Sequence, residues 1–158
     1  MIKEAQSIHA AQWLAENGTQ QCIVESMFGK ATAKLLKPFY KREPKIKHRY
    51  GVHWLRIEGA YQADRVYRLY VQMFGPDALS TAMNGVDFAM FCQTYLAKFP
   101  SDDMSANRIH YLFQSILNGD AIVYPKCSCC GQAYVMHRDD KLFTSCHICR
   151  TLADDKKL

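Results

Sequence analysis

The chain contains nothing near the roughly 20 consecutive apolar residues that a membrane-spanning helix requires. Met1 to Ala11 also offers no long apolar segment ahead of a small-residue cleavage site, so no membrane partner is expected and a cytoplasmic location is. No internal repeat, low-complexity tract or heptad series is present, which excludes solenoid and coiled-coil architectures. Acidic residues are outnumbered, 15 Asp and Glu against 20 Lys and Arg. No paired carboxylates or His-x-Glu arrangement beside the C-terminal cysteines marks a site, and Glu58, Asp64, Asp87, His9, His48, His53 and His110 are scattered along the chain. A non-enzymatic role is therefore expected.

What remains is an ordinary globular composition with two unusual features. At 158 residues and 49% hydrophobic, the chain is long enough to bury a core of its own. Apolar residues recur at helical spacing over most of its length, and helices are predicted over Glu4 to Glu16, from a Thr19 cap to Met27 before Gly29, and over Lys30 to Arg42, where Pro38 interrupts the pattern. Further helices are predicted near Ile57 to Phe74, over Asp77 to Met83, over Val86 to Phe99 after an Asn84-Gly85 turn, and from a Ser101 cap to Asn118-Gly119 with Asp102 and Asp103 in the first turn.

The first unusual feature is cysteine. Seven are present, an odd number, in a chain expected in a compartment where disulfides are rare, so metal or thiol chemistry is the better explanation. Cys127-x2-Cys130, fifteen residues, then Cys146-x2-Cys149 is the spacing of two knuckles that close a tetrahedron of thiolates around one structural Zn2+. Gly131 after the first knuckle frees the backbone for that turn. Cys129, His137 and His147 are spare donors. Adjacent Cys129 and Cys130 cannot both ligate with regular turn geometry, so Cys129 is left out, and His147 is read as facing solvent or supporting the ligands. Ala133 to His137 and Lys141 to Thr144 are expected to pair as a hairpin around Arg138-Asp139-Asp140, with Lys126, Arg138, Lys141 and Arg150 offsetting the surplus thiolate charge. A site with four protein ligands has no open position for substrate or activated water.

The second is a concentration of positive charge. Lys30, Lys34, Lys37, Lys41, Arg42, Lys45, Lys47, Arg49 and Arg56 face a single acid, Glu43, and Lys30, Lys34, Lys37 and Lys41 fall at helical intervals. Phosphate backbones attract such a patch, and a short helix followed by a basic one from Thr19 to Arg42 has the proportions of a helix-turn-helix. The first eight of these basic residues are the candidate DNA contacts. A solvated lysine face, with Trp54 and Leu55 in the core, is the bland alternative. For Tyr61, Tyr67, Tyr70 and Phe74, core positions are preferred over an interface.

Asn84-Gly85-Val86-Asp87, the helix ending in Leu117-Asn118-Gly119, the run Cys127-Ser128-Cys129-Cys130-Gly131 and the closing Cys146-His147-Ile148-Cys149 resemble the FlhC-like family of bacterial master activators. That family includes flagellar regulators and activators of conjugative transfer. The resemblance implies a mainly helical DNA-binding subunit that works in a hetero-oligomer with an FlhD-like helical partner, binds double-stranded promoter DNA and recruits RNA polymerase. It carries the zinc ligands to Cys127, Cys130, Cys146 and Cys149, whereas the lysine contacts rest on charge and pattern alone. The expected architecture is a mainly α helical bundle with an N-terminal helix-turn-helix-like segment, residues 1–120, and a C-terminal four-cysteine zinc-ribbon-like module, residues 121–158. A zinc-stabilised protein-interaction adaptor is the alternative, followed by a small nucleic-acid enzyme.

Overall fold

The computed structural model describes residues 2–41, 53–56, 60–81, 83–140 and 143–155. The protein is mainly helical, with seven α-helices and one two-stranded sheet among the described residues. None of those helices is long and apolar enough to cross a membrane. Contacts divide the chain into two compact units, 1–50 with 82–110 and 51–81 with 111–158. The sequence division at 120 and 121 follows the chain, whereas the spatial grouping places the 61–74 helix with the cysteine module. Hydrogen bonds accepted by Asp64 and donated by Arg68, described below, tie that helix to the module.

In the first unit α1 (Ile2–Glu16) packs on α2 (Gln21–Phe28), on α3 (Lys30–Leu35) and on α5 (Gly85–Lys98). Leu14, Ile23, Val24, Phe88, Phe91 and Tyr95 form its buried centre. Cys92 is also fully buried there, a small apolar side chain whose thiol is pushed well up by burial. The predicted Thr19 cap is not used. Thr19 is buried, Gln20 takes the cap position, and the Asn107 side chain accepts from the Gln20 N–H at 2.9 Å while donating to the Gly18 carbonyl at 2.9 Å.

The basic helix expected over Lys30 to Arg42 ends at Leu35. A 3₁₀ turn, Lys37–Phe39, follows, because Pro38 has no N–H to continue an α-helical ladder. Asn84-Gly85 is not a free turn either. Asn84 caps α5, its Oδ1 accepting from the Asp87 N–H at 2.9 Å and its Nδ2 donating to Asp87 Oδ2 at 3.0 Å. Gly85 opens the helix because space is short. A Cβ there would lie 2.3 Å from the tip of the Phe28 ring. Gly85→Ala gains at most about 1 kcal/mol of helix propensity but overpacks by about 1–3 kcal/mol. A net loss of about 1–2 kcal/mol is expected, read as a lower urea midpoint.

Helix α6 (Ala106–Asn118) begins later than the Ser101 cap predicts. Ser105 caps it, accepting from the Arg108 N–H at 3.3 Å, while Asp102 instead receives the hydroxyl of buried Tyr95. The chain passes from the first unit to the second within this helix.

In the second unit, a 3₁₀ turn (His53–Arg56) buries Trp54 and Leu55, in line with a core role for that pair. Helix α4 (Tyr61–Phe74) buries Ala63, Asp64, Val66, Leu69 and Tyr70 along one face. Tyr70 lies against Phe113, with ring centroids 4.7 Å apart, so it is a core residue, whereas Tyr61, Tyr67 and Phe74 are half-buried. The helix expected over Asp77 to Met83 is reduced to a 3₁₀ turn, Ala78–Ser80. Strand β1 (Ala121–Tyr124) pairs antiparallel with β2 (Tyr134–His137), Tyr124 facing Tyr134 and Ala121 facing His137. Among the described residues the partner of 134–137 is thus the strand before the first knuckle. Within the predicted second arm, Phe143 and Thr144 lie outside any strand, and 141–142 lie outside the described residues. Helix α7 (His147–Asp155) closes the unit.

Candidate metal centre

The first knuckle sits at the end of the β1–β2 hairpin. The Cys127 N–H donates to the Gln132 carbonyl at 2.8 Å, and the Gly131 N–H returns to the Cys127 carbonyl at 2.9 Å. Gly131 adopts a φ of 74°, a left-handed conformation that side chains resist, so glycine is required at this position. The second knuckle is the entrance to a helix. Cys146 directly precedes α7 and Cys149 lies in its first turn. The Ser128 N–H bonds to the Thr144 carbonyl at 2.8 Å and ties the two knuckles together. Beneath them, Tyr134 and Met136, two apart on one face of β2, pack with Cys127 and Cys146.

This scaffold gathers the four cysteines chosen from spacing. The sulfurs of Cys127, Cys130, Cys146 and Cys149 all lie within 4.8 Å of one another and can hold a metal ion. Two of the separations are 3.9 Å, Cys127 to Cys149, and 3.8 Å, Cys130 to Cys146. Sulfurs about 2.3 Å from a central ion in a tetrahedron are separated by about 3.8 Å, so these edges match a metal site. A disulfide needs about 2.05 Å. All seven cysteines are free thiols. Cys129 is exposed and does not belong to the cluster.

Backbone donors converge on the sulfurs before any ion does. Cys127 Sγ accepts from the N–H of Cys146 at 3.2 Å and of Cys129 at 3.3 Å, and Cys146 Sγ accepts from the Cys149 N–H at 3.3 Å. Burial alone would push the Cys127 thiol up, but the N–H groups of Cys130, Cys146 and Cys129 together bring it down to about 6. Burial raises Cys146, against the opposing pull of the Cys149 N–H and the Arg68 guanidinium. Burial and the neighbouring sulfurs raise Cys149 as well. These donors favour a thiolate at Cys127, and a cation at the centre would displace protons from the thiols it binds.

Two residues that spacing did not mark complete the site. Asp64 is fully buried on α4 and spans both knuckles, Oδ1 accepting from the Val135 N–H at 2.9 Å and Oδ2 from the His147 N–H at 2.8 Å. The His147 ring Nδ1 lies 3.3 Å from the same Oδ2, which puts this histidine in the interior and in a supporting role. One turn along α4, Arg68 donates from Nε to the Ala133 carbonyl at 3.0 Å and from Nη2 to Cys130 Sγ at 3.6 Å. The sequence signal was faint but present: an acid and an arginine at i and i+4, with the acid on the apolar face of its helix. With both oxygens committed to backbone donors and no exposure, Asp64 is part of the scaffold.

The basic candidates do not converge in this way. Lys30 and Lys34 lie on α3, Lys37 in the 3₁₀ turn and Lys41 beyond it, so they do not share a single helical face. All four are exposed, and among the described residues no carboxylate pairs with any of them. Arg42, Lys45, Lys47 and Arg49 lie outside the described residues. Arg56 pairs with Asp140, Nε to Oδ1 at 2.6 Å.

No known family's sequence profile matches the chain, and no curated protein matches it either.

Proposed function

We propose that the chain is a non-catalytic, cytoplasmic DNA-binding subunit of a transcriptional activator. In this reading it acts with an FlhD-like helical partner on double-stranded promoter DNA and recruits RNA polymerase. One structural Zn2+ sits on Cys127, Cys130, Cys146 and Cys149, because four soft thiolates in a tetrahedron suit zinc and leave it no open position for chemistry.

The observation that carries the DNA reading is the exposed series Lys30, Lys34, Lys37 and Lys41, without paired carboxylates among the described residues and continuous in sequence with four further basic positions. Exposed cations are available to displace counterions from phosphate. The break at Pro38 spreads them along a bent path, which favours backbone neutralisation over the base-edge contacts of a straight recognition helix.

The test is duplex binding by the purified chain, alone and with an FlhD-like subunit, across a salt series. Changing all four lysines to Gln is expected to flatten the plot of log affinity against log salt by about 3 to 4 units, at roughly 0.9 per lost phosphate contact. A slope that does not change removes these lysines from the interface.

One observation favours the adaptor reading. Leu35 is 66% exposed and Phe39 39% exposed in the same basic segment, which suits a protein-contact surface. A zinc-loaded complex with the partner that ignores DNA at every salt concentration would select it.

A further inference from the structure

Four thiolates around a divalent ion carry a formal surplus of two negative charges, and in a partly buried site that surplus needs fixed positive partners. The residues nearest in sequence do not all supply them. Arg138 is engaged by Asp120 at 2.9 Å and Asp139 at 3.6 Å. Arg150 lies over the Phe143 ring, 4.1 Å from its centroid, with its Nε and Nη2 buried and making no hydrogen bond. Lys126 is exposed. Among the described residues, the guanidinium bonded to a cluster sulfur comes from elsewhere in the chain, Arg68 on α4, 62 residues before Cys130.

We propose that Asp64 and Arg68 are the outer sphere of the four-cysteine centre, and that Arg68 is a positioning residue that sets how tightly the centre holds its metal. The inference rests on the cluster holding a divalent ion. Asp64 fixes the backbone on both sides of the site, at Val135 after the first knuckle and at His147 inside the second. Arg68 uses one edge of its planar fork to hold the Ala133 carbonyl and another to reach Cys130, a geometry in which lysine, a point charge on a flexible stem, is a poor substitute. A charge-assisted N–H···S bond withdraws electron density from the sulfur, so part of the repulsion among four thiolates is relieved before the ion arrives. Because both side chains sit on α4, metal loading and the docking of that helix on the module are one linked event.

The experiment uses the full chain with Co2+ as a spectroscopic probe and a competing chelator to measure affinity for Zn2+. Wild type, R68Q and R68K are compared, with far-UV circular dichroism as the check on folding. R68Q is expected to bind Zn2+ about 10–100-fold more weakly, the usual effect of losing an outer-sphere partner. Its Co2+ complex should remain tetrahedral, with the sulfur-to-cobalt charge-transfer band at lower energy because Cys130 has lost a donor. R68K should fall between the two.

A folded R68Q with wild-type affinity and an unshifted band overturns the proposal. Should R68Q fail to fold, R68K decides in its place: weaker binding with a shifted band supports the proposal, and wild-type values overturn it. A wild-type chain that takes up neither ion overturns the metal reading itself, a result distinct from a failure of Arg68 alone.

Discussion

Cys127→Ser is expected to produce the largest loss of any single substitution, removing stable metal uptake and loosening the cysteine module. Cys127 is 1% exposed, accepts two backbone N–H groups and stands 3.9 Å from Cys149 Sγ. The backbone N–H groups aimed at this sulfur also lower its pKa, to about 6, and so favour the thiolate that a metal needs. Serine keeps the size but gives up both the soft anionic donor and the longer reach of sulfur. The affinity should fall by more than the roughly 10–100-fold expected of an outer-sphere change. Structural zinc contributes about 10–16 kcal/mol to small finger peptides, whose folding depends on it. Here Leu55, Val66, Tyr70 and Leu112 form an apolar core within the same unit, so α4 and α6 should survive while the knuckles loosen. Bound metal per chain, measured by elemental mass spectrometry after dialysis, is the readout. Cys129→Ser is the control, because that thiol is exposed and outside the cluster, and it should keep a full complement.

Asp64→Ala should destabilise the second unit by about 4 kcal/mol, even with metal in excess. The side chain is 0% exposed and accepts from the Val135 and His147 N–H groups in the interior. Truncation leaves both donors without a partner, at about 1–3 kcal/mol each. It also removes the α4 carboxylate that accepts the His147 N–H at the N-terminus of α7, where the helix dipole favours an acid. Asp64→Asn keeps a single acceptor and should lose about half as much. Urea unfolding followed by circular dichroism measures both, with the alanine midpoint well below the asparagine one. Alanine at wild-type stability would mean that the carboxylate does not hold the two knuckles.

The ligand set was legible because knuckle chemistry is local. Cys-x2-Cys fixes the approach of two sulfurs within one turn, and the presence of two such pairs specifies four donors before any fold is known. Helix existence was legible for the same reason, since apolar period and caps act over a few residues. Starts and ends were harder. Ser101 has the chemistry of a cap, but α6 begins after Ser105, which accepts the Arg108 N–H, while Asp102 receives the hydroxyl of Tyr95, seven residues earlier. Pro38 marked an interruption in the sequence, but not that α3 would stop at Leu35 and divide the lysines among three local conformations.

Strand pairing and the outer sphere depended on tertiary structure. Tyr134–His137 has strand character wherever it pairs, and its pairing with Ala121–Tyr124 follows from the first knuckle, which turns the chain back between these two strands. In the sequence Asp64 is one of several scattered acids and Arg68 belongs to no motif, their i and i+4 spacing being only a faint sign. Their roles arise because α4 lies against β2 and α7, across more than sixty residues of chain, and no local pattern encodes a hydrogen bond over that separation. The sequence by itself determined which atoms can bind a metal, through short-range geometry. The tertiary structure decided which charges surround them, through long-range packing.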